Sequence, residues 1–209
     1  MIGYYNYTVI LTYIGTVSGL LGIMSILRGN AAVALFCLIF AGLCDMFDGK
    51  VASTMERTRQ EKKFGIQIDS LSDVICFGVL PALIVYFVVG ETIVAAVTSS
   101  VYLLCALIRL AWFNVDEEER QGREDGCRKV YLGLPVTTSA LLVPFFMGIG
   151  GLLKVSIAFL YPWFLLLIAA AFITPFHIKK PKLVGKIIMI VIGAACLAVV
   201  IVGLLGGKI

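Results

Sequence analysis

Charge is what this sequence has least of. Of its 209 residues only 14% are Asp, Glu, Lys or Arg, where an average soluble domain carries about 25%. That scarcity excludes a disordered chain, a basic nucleic-acid-binding arm and an ordinary water-soluble enzyme. Histidine is reduced to one residue, His177, so neither a histidine-rich metal site nor a Ser–His or Cys–His nucleophile is available. Six cysteines occur, yet none forms a C-x-x-C pair. Cys37, Cys44, Cys76, Cys105 and Cys196 are scattered through apolar runs and Cys127 sits in a basic loop, so they read as packing residues without disulfides or zinc. Polar linkers and internal repeats are absent as well, which leaves no place for a second, soluble domain.

What is present is apolar surface. Hydrophobic residues make up 60% of the chain and the mean hydropathy is +1.02, more than a core of this size can hide from water. Seven stretches, roughly 7–27, 31–54, 64–88, 92–114, 134–153, 157–176 and 186–206, each approach the ~20 apolar residues needed to cross a bilayer as a helix. They are continuously apolar rather than alternating, which excludes a β-barrel. The first is too long and lacks the flanks of a cleaved signal peptide. The expected fold is an all-α integral membrane protein with short loops.

The cations orient it. Thirteen of the 17 Lys and Arg residues lie in the second, fourth and sixth connections, among them Lys50, Arg57, Arg59, Lys62, Lys63, Arg120 and Lys179. These connections share one face, which the positive-inside rule makes cytoplasmic, with the N-terminus inside and the C-terminus outside. The net charge of +4 then attracts anionic headgroups and not nucleic acid.

The acids carry the signal. Nine of the 13 lie in loops, while Asp45, Asp48, Asp69 and Asp73 fall near the cytoplasmic ends of spans two and three. Placing four carboxylates in membrane helices costs about 10 kcal/mol or more even on a lenient insertion scale. At 100° per residue, Asp45 and Asp48 lie about 60° apart and Asp69 and Asp73 about 40° apart, so each pair shares a helix face. Span two descends and span three returns, which puts the pairs at similar depth. Four converging carboxylates repel unless cations lie between them, and oxygen-only ligands suit hard divalent ions rather than zinc. Gly49, Ala52 and Gly65 on the same faces leave room for a ligand beside the backbone.

The ordered string is Asp45-x2-Asp48-Gly49-x2-Ala52-x12-Gly65-x3-Asp69-x3-Asp73. It resembles the signature of the CDP-alcohol phosphatidyltransferases, D-x2-D-G-x2-A-R followed by a spacer and G-x3-D-x3-D. The runs Gly65–Asp73, Phe77–Ala82, Arg109–Asn114 and Gly133–Val136 look like the phosphatidylserine synthase branch. Two departures stand out. Ser53 occupies the position of the family's Arg, with a longer spacer to Gly65, and Trp112 replaces a second Arg of that branch.

The resemblance implies a six-helix transmembrane core over residues 1–180, with residues 181–209 as an additional seventh helix. It implies transfer of a phosphatidyl group from CDP-diacylglycerol to the hydroxyl of L-serine, releasing CMP. Two divalent cations, Mg²⁺ or Mn²⁺, would be held by Asp45, Asp48, Asp69 and Asp73, with Asp73 also the general base. Gly49, Ala52, Ser53 and Gly65 would line the CDP-lipid site. Arg57, one turn beyond Ser53 if the helix continues, is expected to replace the missing Arg. Arg109, the one cation within a span, would clamp an anionic part of the acceptor. A homodimer in the plasma membrane with its active site facing the cytoplasm completes the expectation. The alternatives are another acceptor (glycerol phosphate or inositol phosphate), an archaeal lipid donor, or, from a different class, a cation- or proton-coupled transporter. The loop Asp116–Lys129 is expected to be a solvated connector with Gly122 and Gly126 as hinges.

Overall fold

The computed structural model describes residues 3–123, 130–153 and 158–179, together with Ala195 and Ala198. Cys127, Gly126, Cys196 and the seventh apolar run, those two alanines apart, lie outside the described residues. A 3₁₀ turn at Tyr7–Val9 leads into α1 (Ile10–Leu27), followed by α2 (Ala31–Ala52) and α3 (Arg59–Asp73). A π-helical segment, Val74–Val79, joins α3 without a break to α4 (Leu80–Val89). Then come α5 (Ile93–Arg123), α6 (Ser139–Leu153) and α7 (Tyr161–Ile173).

Four of these helical stretches are long and apolar enough to cross a membrane: Tyr7–Leu27, Ala31–Ala52, Arg59–Val89 and Ile93–Glu119. Val136–Gly148 and Ala158–Ile173 are shorter apolar helices. They coincide with the first six apolar runs. Their outward faces carry Leu20, Met24, Phe36, Leu104, Ile108 and Leu167, all well exposed. Water would not tolerate such a surface; hydrocarbon does.

Two elements differ from expectation. Val130–Leu132 (β1) and His177–Lys179 (β2) pair as a short antiparallel ribbon, with Tyr131 opposite Ile178; it is a small addition to an otherwise helical chain. More consequentially, Asp116–Arg123 is not a loop. The α5 helix runs through it for 31 residues, about 46 Å, against a hydrocarbon thickness of about 30 Å. Glu117, Glu118, Glu119, Arg120 and Gln121 are good helix formers, and an ion pair from Lys63 to Glu118 ties the extension to α3. Gly122 is therefore inside a helix and is no hinge there.

Local chemistry explains the ends. Asn30 caps α2 by accepting from the Val33 amide at 3.2 Å. Thr58 and Glu61 form a reciprocal capping box at the start of α3, which offsets two of the unpaired amides there. Pro81 follows the π segment. Having no N–H, it cannot bond the Phe77 carbonyl four residues back. The Tyr102 hydroxyl donates to that carbonyl at 2.6 Å and the Ser139 hydroxyl at 3.4 Å. A proline in α4 thus draws α5 and the start of α6 onto the segment next to Asp73.

In lipid, close packing and not hydrophobic exclusion holds helices together. At Gly19 on α1 a Cβ would lie 2.7 Å from the Cys76 sulfur and 3.3 Å from its Cα. We expect Gly19→Val to destabilise the detergent-solubilised protein by about 1–3 kcal/mol. Leu20→Ala, on the outward face, should leave the thermal midpoint almost unmoved. A Gly19→Val midpoint equal to wild type would refute the close approach.

Candidate active site

Asp45 and Asp48 occupy the last two turns of α2, and Asp69 and Asp73 the last two turns of α3. All four line a single cavity, with Cys44, Ser72, Cys76 and Phe77 beside them. One carboxylate oxygen from each of Asp45, Asp48 and Asp69 lies within 4.8 Å of the others. Asp73 shares the cavity but is not part of that close group. Among the described residues no Lys, Arg or His lines the cavity. The helix spacing therefore does in three dimensions what it foretold, and the four charges meet without a protein cation among the described lining.

The wall has a third side that the sequence reading missed. Leu11, Thr12 and Gly15 of α1 complete it. The Thr12 hydroxyl, itself buried, donates to Asp48 Oδ2 at 3.4 Å. Thr16 and Ser72 share a hydrogen bond of 2.7 Å, and Cys76 Sγ donates to the Gly15 carbonyl at 3.3 Å. A signal existed: Thr12, Gly15, Thr16 and Gly19 put polar and small residues on one face of an otherwise apolar helix. On the far side of α3, the Ser70 hydroxyl donates to Asn114 Oδ1 at 2.6 Å, and Asn114 Nδ2 donates to Gln67 at 3.4 Å. The acid-bearing helix is held by polar bonds from α1 and from α5.

The other expected residues distribute themselves around this centre. Gly49, next to Asp48, is exposed, and a Cβ there would meet nothing within 4 Å. Ala52 is the last residue of α2. Ser53 caps the helix end, its hydroxyl spent on the Lys50 carbonyl at 2.7 Å. Because α2 stops there, Arg57 is not one turn further along its face; it belongs to the connection 53–58. The chain nevertheless folds back, so that a Cβ on Gly65 would lie 3.1 Å from Arg57 Nη1. The guanidinium thus rests against Gly65, one turn before Asp69.

Arg109 behaves differently. It neither snorkels to the surface nor joins the cavity wall: it is 6% exposed and absent from the lining. Its Nε donates to the Leu134 carbonyl at 3.4 Å, and its guanidinium carbon lies 5.8 Å and 5.6 Å from the rings of Trp112 and Phe113. The expected role as acceptor clamp draws on the affinity of a guanidinium for carboxylate or phosphate.

The donor set fits a metal ion. Three carboxylates within reach of one another, with no thiolate or imidazole in the group, are the donors that suit an oxygen-seeking divalent cation.

Residues 5–205, almost the whole chain, match the sequence profile of the CDP-alcohol phosphatidyltransferases. This chain belongs to the CDP-alcohol phosphatidyltransferase family. As a member of that family with several apolar helices it is a multi-pass membrane protein. Among its relatives, the CDP-diacylglycerol–serine O-phosphatidyltransferase of Methanocaldococcus jannaschii is 33% identical over 190 residues, covering 88% of this chain and 84% of the relative. The Helicobacter pylori protein of the same name is 34% identical over 128 residues, 59% of this chain; the match spans about half the relative's length. The archaetidylserine synthase of Methanothermobacter thermautotrophicus is 30% identical over 177 residues, covering 84% and 70% of the two chains.

Proposed function

We propose that this phosphatidyltransferase moves the phosphatidyl group of CDP-diacylglycerol onto the hydroxyl of L-serine, giving phosphatidylserine and CMP. The observation that carries the reading is the cavity in which Asp45, Asp48, Asp69 and Asp73 meet with no Lys, Arg or His among the described residues that line it. Similarity to the serine-specific relatives supports the acceptor.

In this reading Asp45, Asp48 and Asp69 would hold the divalent cations, two Mg²⁺ or Mn²⁺ ions. Such a cation, when bound, neutralises diphosphate charge and stabilises the departing phosphate of CMP. Thr12 orients Asp48 through its hydroxyl. Arg57 and Gly65 lie at the end of the site where the nucleotide diphosphate approaches, Arg57 supplying the charge that Ser53 lacks. Asp73, in the same cavity but outside the close carboxylate group, takes the proton from the serine hydroxyl. The freed oxygen forms a bond to the lipid-side phosphorus. The bond from that phosphorus to the bridging oxygen breaks, and CMP departs with the electron pair. The acyl chains stay in lipid throughout, since the helices beside the site present apolar faces to it. In this reading the site faces the cytoplasm, which the concentration of Lys and Arg in the connections on that side supports, and the enzyme works as a homodimer in the plasma membrane.

The test is transfer by the purified protein in mixed micelles. Labelled serine should enter lipid with stoichiometric release of CMP, and glycerol phosphate and inositol phosphate should not. Incorporation of only another alcohol would remove serine from the reading. The archaetidylserine synthase similarity favours a second reading, in which the donor is an archaeal ether lipid. Running the assay with both donors separates the two by their relative kcat/KM.

A further inference from the structure

The segment before α1 is bound to the connection that carries Arg57. The Tyr4 hydroxyl donates to Gln60 Oε1 at 2.9 Å, and Asn6 Nδ2 donates to Glu61 Oε1 at 3.2 Å. The hydroxyls of Tyr7 and Thr54 share a bond of 3.0 Å. The Tyr4 ring also meets Phe64 edge to face, centroids 5.5 Å apart. These contacts bracket the connection 53–58 on both sides, Thr54 at its start and Gln60, Glu61 and Phe64 in the first turns of α3. Glu61 is the pivot. Its second carboxylate oxygen accepts from the Thr58 amide and hydroxyl, both at 2.9 Å, so the bond from Asn6 reaches the cap that ends the connection.

Between those ties lies Arg57, whose guanidinium rests against Gly65. An arginine on a helix would be aimed by the helix itself. One in a six-residue connection must be aimed by whatever holds the connection. Tyr4, Tyr7, Thr54 and Gln60 are half-buried or exposed, so their bonds add little to global stability. They restrict where the connection, and with it the guanidinium, can go.

We infer that Tyr4, Asn6 and Tyr7 are positioning residues for the nucleotide end of the CDP-lipid site, acting as a strap that holds the connection 53–58 and fixes Arg57 over Gly65. The inference rests on the proposed use of CDP-diacylglycerol. The gain from such a strap is preorganisation: a cation held in place does not have to be ordered when the diphosphate binds.

The experiment compares four full-length proteins: wild type, a strap variant (Tyr4→Phe, Asn6→Ala and Tyr7→Phe together), Arg57→Ala, and their combination. Tyr4→Phe keeps the ring on Phe64. Binding of CDP with Mg²⁺ is measured by calorimetry, and KM and kcat are measured for CDP-diacylglycerol. The strap variant should weaken CDP binding and raise the lipid KM by about three- to tenfold. Its kcat, its KM for the acceptor and its thermal midpoint should stay at wild-type values. In the Arg57→Ala background the strap changes should add almost nothing, because residues acting through one group are not additive. Unchanged CDP affinity in the strap variant overturns the inference, and so does an equal loss in both backgrounds. If wild type binds no CDP, the strap and the underlying reading fall together. If wild type binds CDP yet transfers nothing to serine, the acceptor reading fails while the binding comparison still decides the strap.

Discussion

Asp73→Asn is expected to lower kcat by about 10²- to 10⁴-fold, the usual worth of a general base. CDP affinity should stay within about twofold, since the change is isosteric and the close carboxylate group of Asp45, Asp48 and Asp69 remains. Asparagine cannot accept the hydroxyl proton, which is the one thing the substitution removes. The position of Asp73 makes the experiment sharp. It ends α3, lines the cavity, and stands directly before the π-helical segment Val74–Val79, a widening that often marks functional sites in helices. Binding of Mn²⁺, read by electron paramagnetic resonance, should survive Asp73→Asn if the residue serves as base. A loss of Mn²⁺ together with activity would instead make Asp73 a metal ligand and leave the base to another group.

Chelation should have an effect at least as large. Treatment with EDTA is expected to reduce transfer to background, and Mg²⁺ or Mn²⁺ should restore it. Asp45→Asn and Asp69→Asn should each weaken Mn²⁺ binding by about tenfold or more, as each removes one of three anionic oxygens from a site selected by ligand charge and number. The reason lies in the cavity wall: four carboxylates line it, and no Lys, Arg or His is among the described residues that do. Thr12 can orient one of them through a hydroxyl but cannot neutralise it. Full activity after exhaustive chelation would refute the metal reading, and the cavity would then need another source of positive charge.

Much of the site was legible because helix geometry is local. Spacings of three and four residues put Asp45 with Asp48 and Asp69 with Asp73 whatever surrounds them. The same holds for the apolar runs, whose lengths answer to the bilayer alone. Local rules misjudged the stretch after Asn114. Its charge pattern resembles a solvated loop, but Glu117–Gln121 are also helix formers, and an ion pair to Lys63 carries the helix on.

Relations between segments distant in sequence could not be read this way. Nothing in the spacing placed Thr12 against Asp48, 36 residues away, or the Tyr102 hydroxyl on the carbonyl that Pro81 leaves open. Arg57 was expected one turn further along α2, but α2 ends at Ala52, and it is the fold of the connection that brings the guanidinium against Gly65. Arg109 packs with Trp112 and Phe113 and is not among the described residues that line the cavity. By itself the sequence determined a membrane-embedded helical chain and the four acids at one end of two helices, because hydropathy and helical period act over a single turn or a single span. The tertiary structure decided which third helix closes the cavity and which residue the Arg57 guanidinium rests against, because those depend on packing between segments that the chain brings together only when it folds.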